Sequence, residues 1–147
     1  MSIASWLNPA RVQFVETLAD WKESIHVVGA PLLAEGTITP RYIDAIIATK
    51  ESTGPYFVLA PQIALPHARP EEGALALGLS VLMVNEGVIF NAEENDPVRI
   101  LFMFSAPDSN SHVEMITELA EVLSDDEVMH KIFNSSDKEE LTKLLIN

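Results

Sequence analysis

The chain has 147 residues, with 22 Asp and Glu against nine Lys and Arg, which gives a formal net charge of −13. This acidity argues against nucleic acid as a ligand, because phosphate contacts need Lys and Arg, and it favours a basic protein partner. Without Cys, a leader or an apolar run long enough to span a bilayer, the sequence predicts one cytoplasmic domain over residues 1–147 that makes no disulfides and does not insert into a membrane.

The first third of the chain predicts a short strand and two helices. Residues 12–16 alternate as a strand does, and apolar residues at helical spacing predict a helix over 20–35 that ends at Gly36. Asp20 and Glu23 at its start form a capping-box pattern. A second helix is predicted to begin at Thr39 and Pro40, to stop at Gly54 and Pro55, and to bury Ile43, Ile46 and Ile47.

The middle of the chain predicts strands. Their expected ranges are 57–60, 77–84, 88–90 and 98–104. Asn85, Glu86 and Gly87 form a cluster typical of a turn between neighbouring strands. The last of these strands is continuously apolar, so we expect it to be covered on both faces.

Three helices are predicted in the last third of the chain. Their capping pairs are expected to be Ser111 with Glu114, Ser124 with Glu127, and Ser136 with Glu139. The first of them carries apolar residues at helical spacing, namely Val113, Ile116, Ala120 and Leu123. The element order therefore predicts an α/β fold with helices packed on both sides of a central sheet.

One short segment concentrates chemically useful side chains. His67 and Arg69 lie between Pro66 and Pro70, and each proline restricts its own backbone and that of the residue before it. A histidine held so rigidly is suited to act as a nucleophile, a general base or a metal ligand, and it can equally serve to hydrogen-bond the loop. The residues alone leave these alternatives open.

His112 is the second histidine with a suggestive position. Directly after the expected cap Ser111, it falls in the first turn of a helix, where free N–H groups and the helix dipole favour an anion. An exposed histidine without a role is the alternative. We assign no role to His26 and His130.

Several segments together resemble enzyme IIA domains of the sugar phosphotransferase system, in the mannitol/fructose class. The segments are 54–61, 63–67, 90–98 and 112–127. Gly-Pro-Tyr-Phe-Val-Leu-Ala-Pro and Glu-Asn-Asp-Pro-Val within them are most similar to the branch that serves L-ascorbate. The resemblance implies a mixed sheet of about five strands flanked by helices on both sides.

The resemblance also implies a function. His67 would accept a phosphoryl group from the carrier protein HPr and pass it to a cysteine of enzyme IIB, which works with the membrane permease enzyme IIC. His112 would bind a phosphoryl oxygen or fix the tautomer of His67. No cofactor and no metal are implied, and we expect a monomer or a weak homodimer.

The sequence departs from the mannitol-type pattern at one point. Those members carry an arginine on the helix before the site, and Glu51 aligns with it here. Arg69 is the expected substitute, because its planar fork can hold two phosphoryl oxygens, with Lys50 as the alternative cation. A surface salt bridge from Arg69 to a neighbouring glutamate is the structural alternative.

Two other functions come from different classes. A metal-dependent hydrolase could use His67, His112 and Asp108 as ligands, although their spacing matches no local metal motif. A regulatory domain could use phosphorylation of the same histidine to switch a partner protein instead of driving transport.

Overall fold

The computed structural model describes residues 2–146 and contains one mixed five-stranded sheet. The strands are β1 (Val12–Val15), β2 (Val58–Ala60), β3 (Ile63–Ala64), β4 (Gly78–Val88) and β5 (Val98–Ser105). Their order across the sheet is β1-β4-β5-β3-β2. The β1/β4 and β3/β5 pairs are parallel, whereas β4/β5 and β2/β3 are antiparallel. The predicted mixed α/β sheet is therefore confirmed.

Helices cover both faces of this sheet. They are α1 (Trp21–Ala34), α2 (Pro40–Thr53), α3 (Ser109–Leu123), α4 (Asp126–Phe133) and α5 (Lys138–Ile146). Short 3-10 turns lie at Ser2–Trp6, Pro9–Arg11, Pro70–Glu72 and Glu93–Asn95. One core cluster joins α1 and α2 to the sheet, and a second cluster joins α3, α4 and α5 to its opposite face. Within the described part of the chain, no helix is both long and apolar enough to cross a membrane.

The two N-terminal helices begin as their sequences predict. The Asp20 carboxylate accepts a hydrogen bond from the Glu23 backbone N–H at 2.9 Å, which satisfies one of the free donors at the start of α1. The Glu23 carboxylate accepts from the Ala19 N–H at 3.2 Å, one residue before the expected partner. In α2, Pro40 occupies the first helical position, where its missing N–H costs nothing.

The turn predicted at residues 85–87 is wrong. β4 continues through these residues to Val88, and its register against β5 shifts between Met83 and Val88. Gly87, with φ of +79°, lets the strand bulge instead of reversing. The separate strand predicted at 88–90 is also wrong, since Val88 ends β4 and the Phe90 N–H donates to the Asp96 carboxylate at 2.8 Å.

The strand β3 was not predicted. It is only two residues long, too short to show an alternating pattern, and Gln62 at φ of +70° separates it from β2. Pairing of β3 with β5 places the following Leu65–Pro66–His67 segment at the end of the central strands. This pairing is what fixes the position of His67 in the fold.

The predicted caps of the three C-terminal helices are wrong by one to three residues. The carboxylates that accept the free N–H groups belong to Asp108, Asp125 and Asp137, not to the predicted serines Ser111, Ser124 and Ser136. A carboxylate at the cap also complements the helix dipole, so it competes well against a nearby hydroxyl.

The apolar residues that predict α3 are mostly not those that α3 buries. Its buried face consists of Met115, Leu119 and Val122. Val113 is 62% exposed and Ile116 is 37% exposed. The sequence of α3 thus carries two apolar stripes, and packing on the sheet selects one of them.

Candidate functional site

The predicted site residues lie around one open cleft. Its floor is the loop that follows β3, and its sides come from the C-terminal half of α2 and the first turns of α3. The cleft measures about 570 Å³ and is lined by Thr49, Thr53, Tyr56, His67, Ala68, Arg69, Glu72 and His112. The fold therefore brings together three residues singled out in the sequence: His67, Arg69 and His112.

The His67 ring is fixed by one short hydrogen bond. Its Nδ1 lies 2.6 Å from the Leu65 carbonyl oxygen, which can only accept, so Nδ1 carries the proton. The ring also stacks on Phe104, with centroids 4.9 Å apart and planes 23° apart. These contacts leave the Nε2 lone pair free, and His67 lines the cleft.

The surroundings of His67 keep its ring neutral. Burial against Phe104 and the loop lowers the pKa of His67, because desolvation penalises the imidazolium. The carbonyl of Leu65 acts in the opposite direction, and the nearby charge of protonated His112 lowers the pKa further. A ring with its pKa below 6.5 is mostly neutral at pH 7, and the neutral ring is the nucleophilic form.

Two tyrosines that the sequence analysis did not single out hold the loop in place. The Tyr56 hydroxyl donates to the His67 carbonyl at 2.6 Å. The Tyr42 hydroxyl donates to the Phe104 carbonyl at 2.7 Å and accepts from the Ala68 N–H at 3.1 Å. Burial raises the pKa of Tyr56 to about 12, so its phenol stays a donor. Tyr56 lies in the Gly-Pro-Tyr-Phe segment quoted above, but the hydrogen-bond partners of both tyrosines are distant backbone groups that the sequence does not reveal.

His112 faces His67 across the cleft. The two ring centroids lie 5.6 Å apart at 63°, and both rings contact Phe104. Burial lowers the pKa of His112, and the charge of Glu71 partly opposes this shift. His112 is the fourth residue of α3 and its N–H donates to the Asp108 carbonyl at 3.0 Å. His112 thus lies in the first turn of α3, as predicted, but its own N–H is bonded within the helix, so it is the imidazole that faces His67.

Arg69 lies at the rim of the cleft. Its backbone N–H donates to the Glu72 carboxylate at 2.9 Å, which closes the 3-10 turn at Pro70–Glu72. The guanidinium is exposed and forms no ion pair with any residue in the range 2–146. The salt bridge considered from the sequence is absent there, so the guanidinium is not committed to a glutamate.

The Lys50 side chain lies outside the cleft. Only 6% of Lys50 is exposed, and its Nζ sits 4.0 Å from the centroid of the Trp21 ring. This burial lowers the pKa of Lys50. Glu51, the next residue of α2, pairs with Lys22 at 2.8 Å. Neither residue lines the cleft, and α2 presents Thr49 and Thr53 to it instead.

The arrangement does not match a metal centre. The Asp108 carboxylate accepts hydrogen bonds from the N–H and the hydroxyl of Ser111, at 2.8 and 2.9 Å. Across residues 2–146, no three His, Cys, Asp or Glu side chains are grouped as metal ligands. A neutral imidazole with one free nitrogen beside a second imidazole is suited to carrying a transferred group.

The fold and the cleft thus describe an α/β domain with a neutral histidine, its Nε2 free, in an open cleft at the end of the central strands. Residues 5–147 match the sequence model of the family "Phosphoenolpyruvate-dependent sugar phosphotransferase system, EIIA 2". The chain belongs to this family of enzyme IIA components, which are phosphotransferases that relay a phosphoryl group through phosphohistidine.

Individual relatives agree with this assignment. The ascorbate-specific enzyme IIA component of Escherichia coli K12 is 36% identical over 126 residues, which are 85% of this chain and 82% of that one. The solution structure of the mannitol-specific cryptic enzyme IIA CmtB from Escherichia coli has a TM-score of 0.93 and 32% identity and covers 99% of each chain. Enzyme IIAMTL in its Escherichia coli complex with phosphorylated enzyme IIBMTL has a TM-score of 0.78 and 28% identity, over 95% of this chain and 96% of that one.

Proposed function

We propose that this domain accepts a phosphoryl group from phospho-HPr on Nε2 of His67 and passes it to a cysteine of an enzyme IIB, in the cytoplasm. The observation that carries the proposal is the 2.6 Å contact between His67 Nδ1 and the Leu65 carbonyl. It places the proton on Nδ1 and the lone pair on Nε2, so the reactive nitrogen is defined before any partner binds.

In the first step, the Nε2 lone pair attacks phosphorus and forms a new P–N bond. The P–N bond of phospho-HPr breaks, and its electron pair returns to the imidazole of HPr. The Nδ1 proton stays on His67, donated to Leu65, so the positive charge that develops on the ring is stabilised by that carbonyl. One phosphohistidine replaces another, and no further reactant is needed.

In the second step, a cysteine thiolate of enzyme IIB attacks the same phosphorus. A P–S bond forms while the P–Nε2 bond breaks, and the electron pair returns to Nε2, which restores neutral His67. The low pKa of His67 favours this neutral product. Both steps depend on in-line positioning and on neutralisation of oxygen charge.

His112 and Arg69 supply donors in this scheme. The His112 ring, 5.6 Å from that of His67, is placed to donate to a phosphoryl oxygen bound on Nε2. A phosphoryl dianion at this distance favours the protonated form of His112. Its negative charge offsets the desolvation that otherwise disfavours the imidazolium. Arg69, whose guanidinium is not paired with a glutamate, reaches the same group from the rim of the cleft.

The surface beside His112 suits protein partners. Val113 and Ile116 are exposed apolar residues on α3 next to this histidine. Neighbouring apolar side chains exposed to water are typical of surfaces that bind other proteins. The net charge of −13 of the whole chain would attract a basic carrier over a long range. HPr and enzyme IIB would use this face in turn, since each must reach the same Nε2.

We infer L-ascorbate as the transported sugar from the ascorbate-specific relative. This domain would contact only the phosphoryl group and proteins, so the membrane permease enzyme IIC selects the sugar. The recognition of enzyme IIB is therefore the property of this chain that reports the substrate.

One experiment tests the relay and its pathway together. The protein is incubated with enzyme I, HPr and phosphoenolpyruvate, and its phosphohistidine is mapped by mass spectrometry at alkaline pH. The phosphorylated protein is then mixed with an ascorbate-type or a mannitol-type enzyme IIB. We expect one phosphoryl group on His67 and faster transfer to the ascorbate-type protein. Phosphorylation elsewhere contradicts the relay, and preference for the mannitol-type protein contradicts the substrate only.

A further inference from the structure

We propose that the Thr49 hydroxyl donates a hydrogen bond to the phosphoryl group on His67. In this role a neutral donor on α2 faces the phosphoryl group from the side of the cleft. This inference rests on the proposed phosphorylation of His67. It assigns a function to a residue that belongs to none of the motifs described above.

The position of Thr49 on α2 directs it toward the phosphorylation loop. Tyr42, Ile46, Thr49 and Thr53 follow one another at helical spacing, so they share one face of α2. The Tyr42 hydroxyl fixes that face against the loop, because it accepts from the N–H of Ala68, the neighbour of His67. Farther along the same face, Thr49 and Thr53 line the cleft together with His67 and His112.

The Thr49 hydroxyl is free, unlike those of the other helical threonines between residues 2 and 146. Thr53, Thr117 and Thr142 each donate to the carbonyl four residues earlier, at 2.7, 2.9 and 2.7 Å. Thr49 makes no such bond to Ala45, nor to any other described group, although its own carbonyl accepts from Thr53. The Thr49 hydroxyl is therefore available to donate a hydrogen bond to a ligand.

The free hydroxyl also has access to the cleft. Thr49 is half-buried, yet no fully buried side-chain oxygen or nitrogen without a hydrogen bond occurs in the described range. The hydroxyl of Thr49 must therefore reach solvent, and the cleft is the solvent-filled space that this residue lines. An O–H group in that place can donate to an anion that enters.

The charges around the cleft explain why a neutral donor would be useful there. Glu72 also lines the cleft, and its carboxylate would repel a phosphoryl dianion. The three cations of α1 and α2 are held elsewhere: Lys50 lies against Trp21, Lys22 pairs with Glu51, and Arg41 donates to the Glu71 carbonyl. A hydroxyl donor compensates in part without the desolvation cost of a buried charge.

The test compares Thr49→Val with Thr53→Val. The two valine variants remove a hydroxyl from neighbouring turns of the same helix face and keep the side-chain shape, but the Thr53 hydroxyl is already bonded to the backbone. Each variant is phosphorylated by phospho-HPr and, separately, by phosphoramidate, a small donor that needs no docking. The rate of phosphorylation and the half-life of phosphohistidine are followed by phosphorus NMR.

We expect Thr49→Val to lower both phosphorylation rates by about 10- to 100-fold, as the loss of a hydrogen bond to a charged group does. Thr49→Ser should restore most of the rate, and Thr53→Val should stay within about twofold of the parent. Equal rates for Thr49→Val and the parent would overturn the proposal, as would equal losses in both valine variants. If the parent itself accepts nothing from phospho-HPr, the proposed relay fails instead, and the phosphoramidate arm still decides the role of Thr49.

Discussion

Helix α2 separates two polar regions that the structure treats in opposite ways. On one side, the cleft at His67 contains donors that are left free, including the Thr49 hydroxyl and the Arg69 guanidinium. On the other side, Lys50 is buried against Trp21 and Lys22 is paired with Glu51. The cleft is thus kept ready for an anion, while the second region satisfies its charges internally.

The difference shows that charge counts along a helix do not locate a phosphate site. Lys50 is one residue from Thr49, yet a rotation of about 100° per residue places the two side chains on different faces of α2. The cationic role expected at this helix is therefore not available from Lys50. Substitutions on the two sides should have separate effects, on transfer for the cleft and on stability for the Lys50 region.

The largest effect is expected for His67→Ala. The variant should accept no phosphoryl group from phospho-HPr, because the Nε2 nucleophile is gone and His112 lacks the fixed tautomer. Circular dichroism should show that it stays folded. His130→Ala, a change in an exposed histidine on α4, serves as the control and should be phosphorylated at the parent rate. Phosphorylation of the His67 variant would contradict the assignment of the acceptor.

The next effect is expected for His112→Ala. Loss of an oxyanion donor should slow phosphorylation by about 10- to 10³-fold, while His67 still becomes the modified residue. Rapid-quench measurement with phospho-HPr gives the rate, and peptide mapping gives the site. A variant that reacts as fast as the parent would show that His112 only packs on Phe104.

Arg69 and Lys50 provide the direct comparison between the two sides of α2. Arg69→Ala should slow phosphorylation by about tenfold, and Arg69→Lys should recover only part of the rate because a lysine cannot make the bidentate contact. Lys50→Met should react at the parent rate, since Lys50 does not line the cleft. The opposite ranking, with Lys50→Met slow and both Arg69 variants normal, would assign the cation to Lys50.

The smallest effect concerns the free energy of unfolding and distinguishes the Lys50 region from the cleft. The pKa of Lys50 is lowered by burial, so the unfolded chain binds more protons than the folded chain below pH 10.5. The contribution of Lys50 to the free energy of unfolding should therefore rise with pH as the pH approaches 10.5 from below, whereas the raised pKa values of Tyr42 and Tyr56 act in the opposite direction. Lys50→Met should lose this rise, with Tyr42 and Tyr56 unchanged in both proteins. Urea unfolding at pH 7, 9 and 10 gives the two slopes, and parallel slopes would contradict the prediction.

The elements that the sequence predicted well are those with a local physical cause. Helix α1 follows from its Asp20 cap and its apolar spacing, and β5 follows from a continuous apolar run. The prediction of a turn at residues 85–87 failed because the bulge in β4 uses the same residue types as a turn between two strands. The predictions of the helix caps failed because each observed cap, such as Asp108, lies close to a serine that also fits the capping-box pattern.

The candidate site divides in the same way. Composition and neighbours along the chain were enough to predict the acidic character, the arrangement of helices and strands, and a histidine held rigidly between Pro66 and Pro70. Other features follow from the folded chain: the tautomer of His67, its contact with His112, the separation of Lys50 from the cleft and the free hydroxyl of Thr49. These features depend on which side chains from distant segments meet, and that is set when β3 pairs with β5 and α2 packs on the sheet.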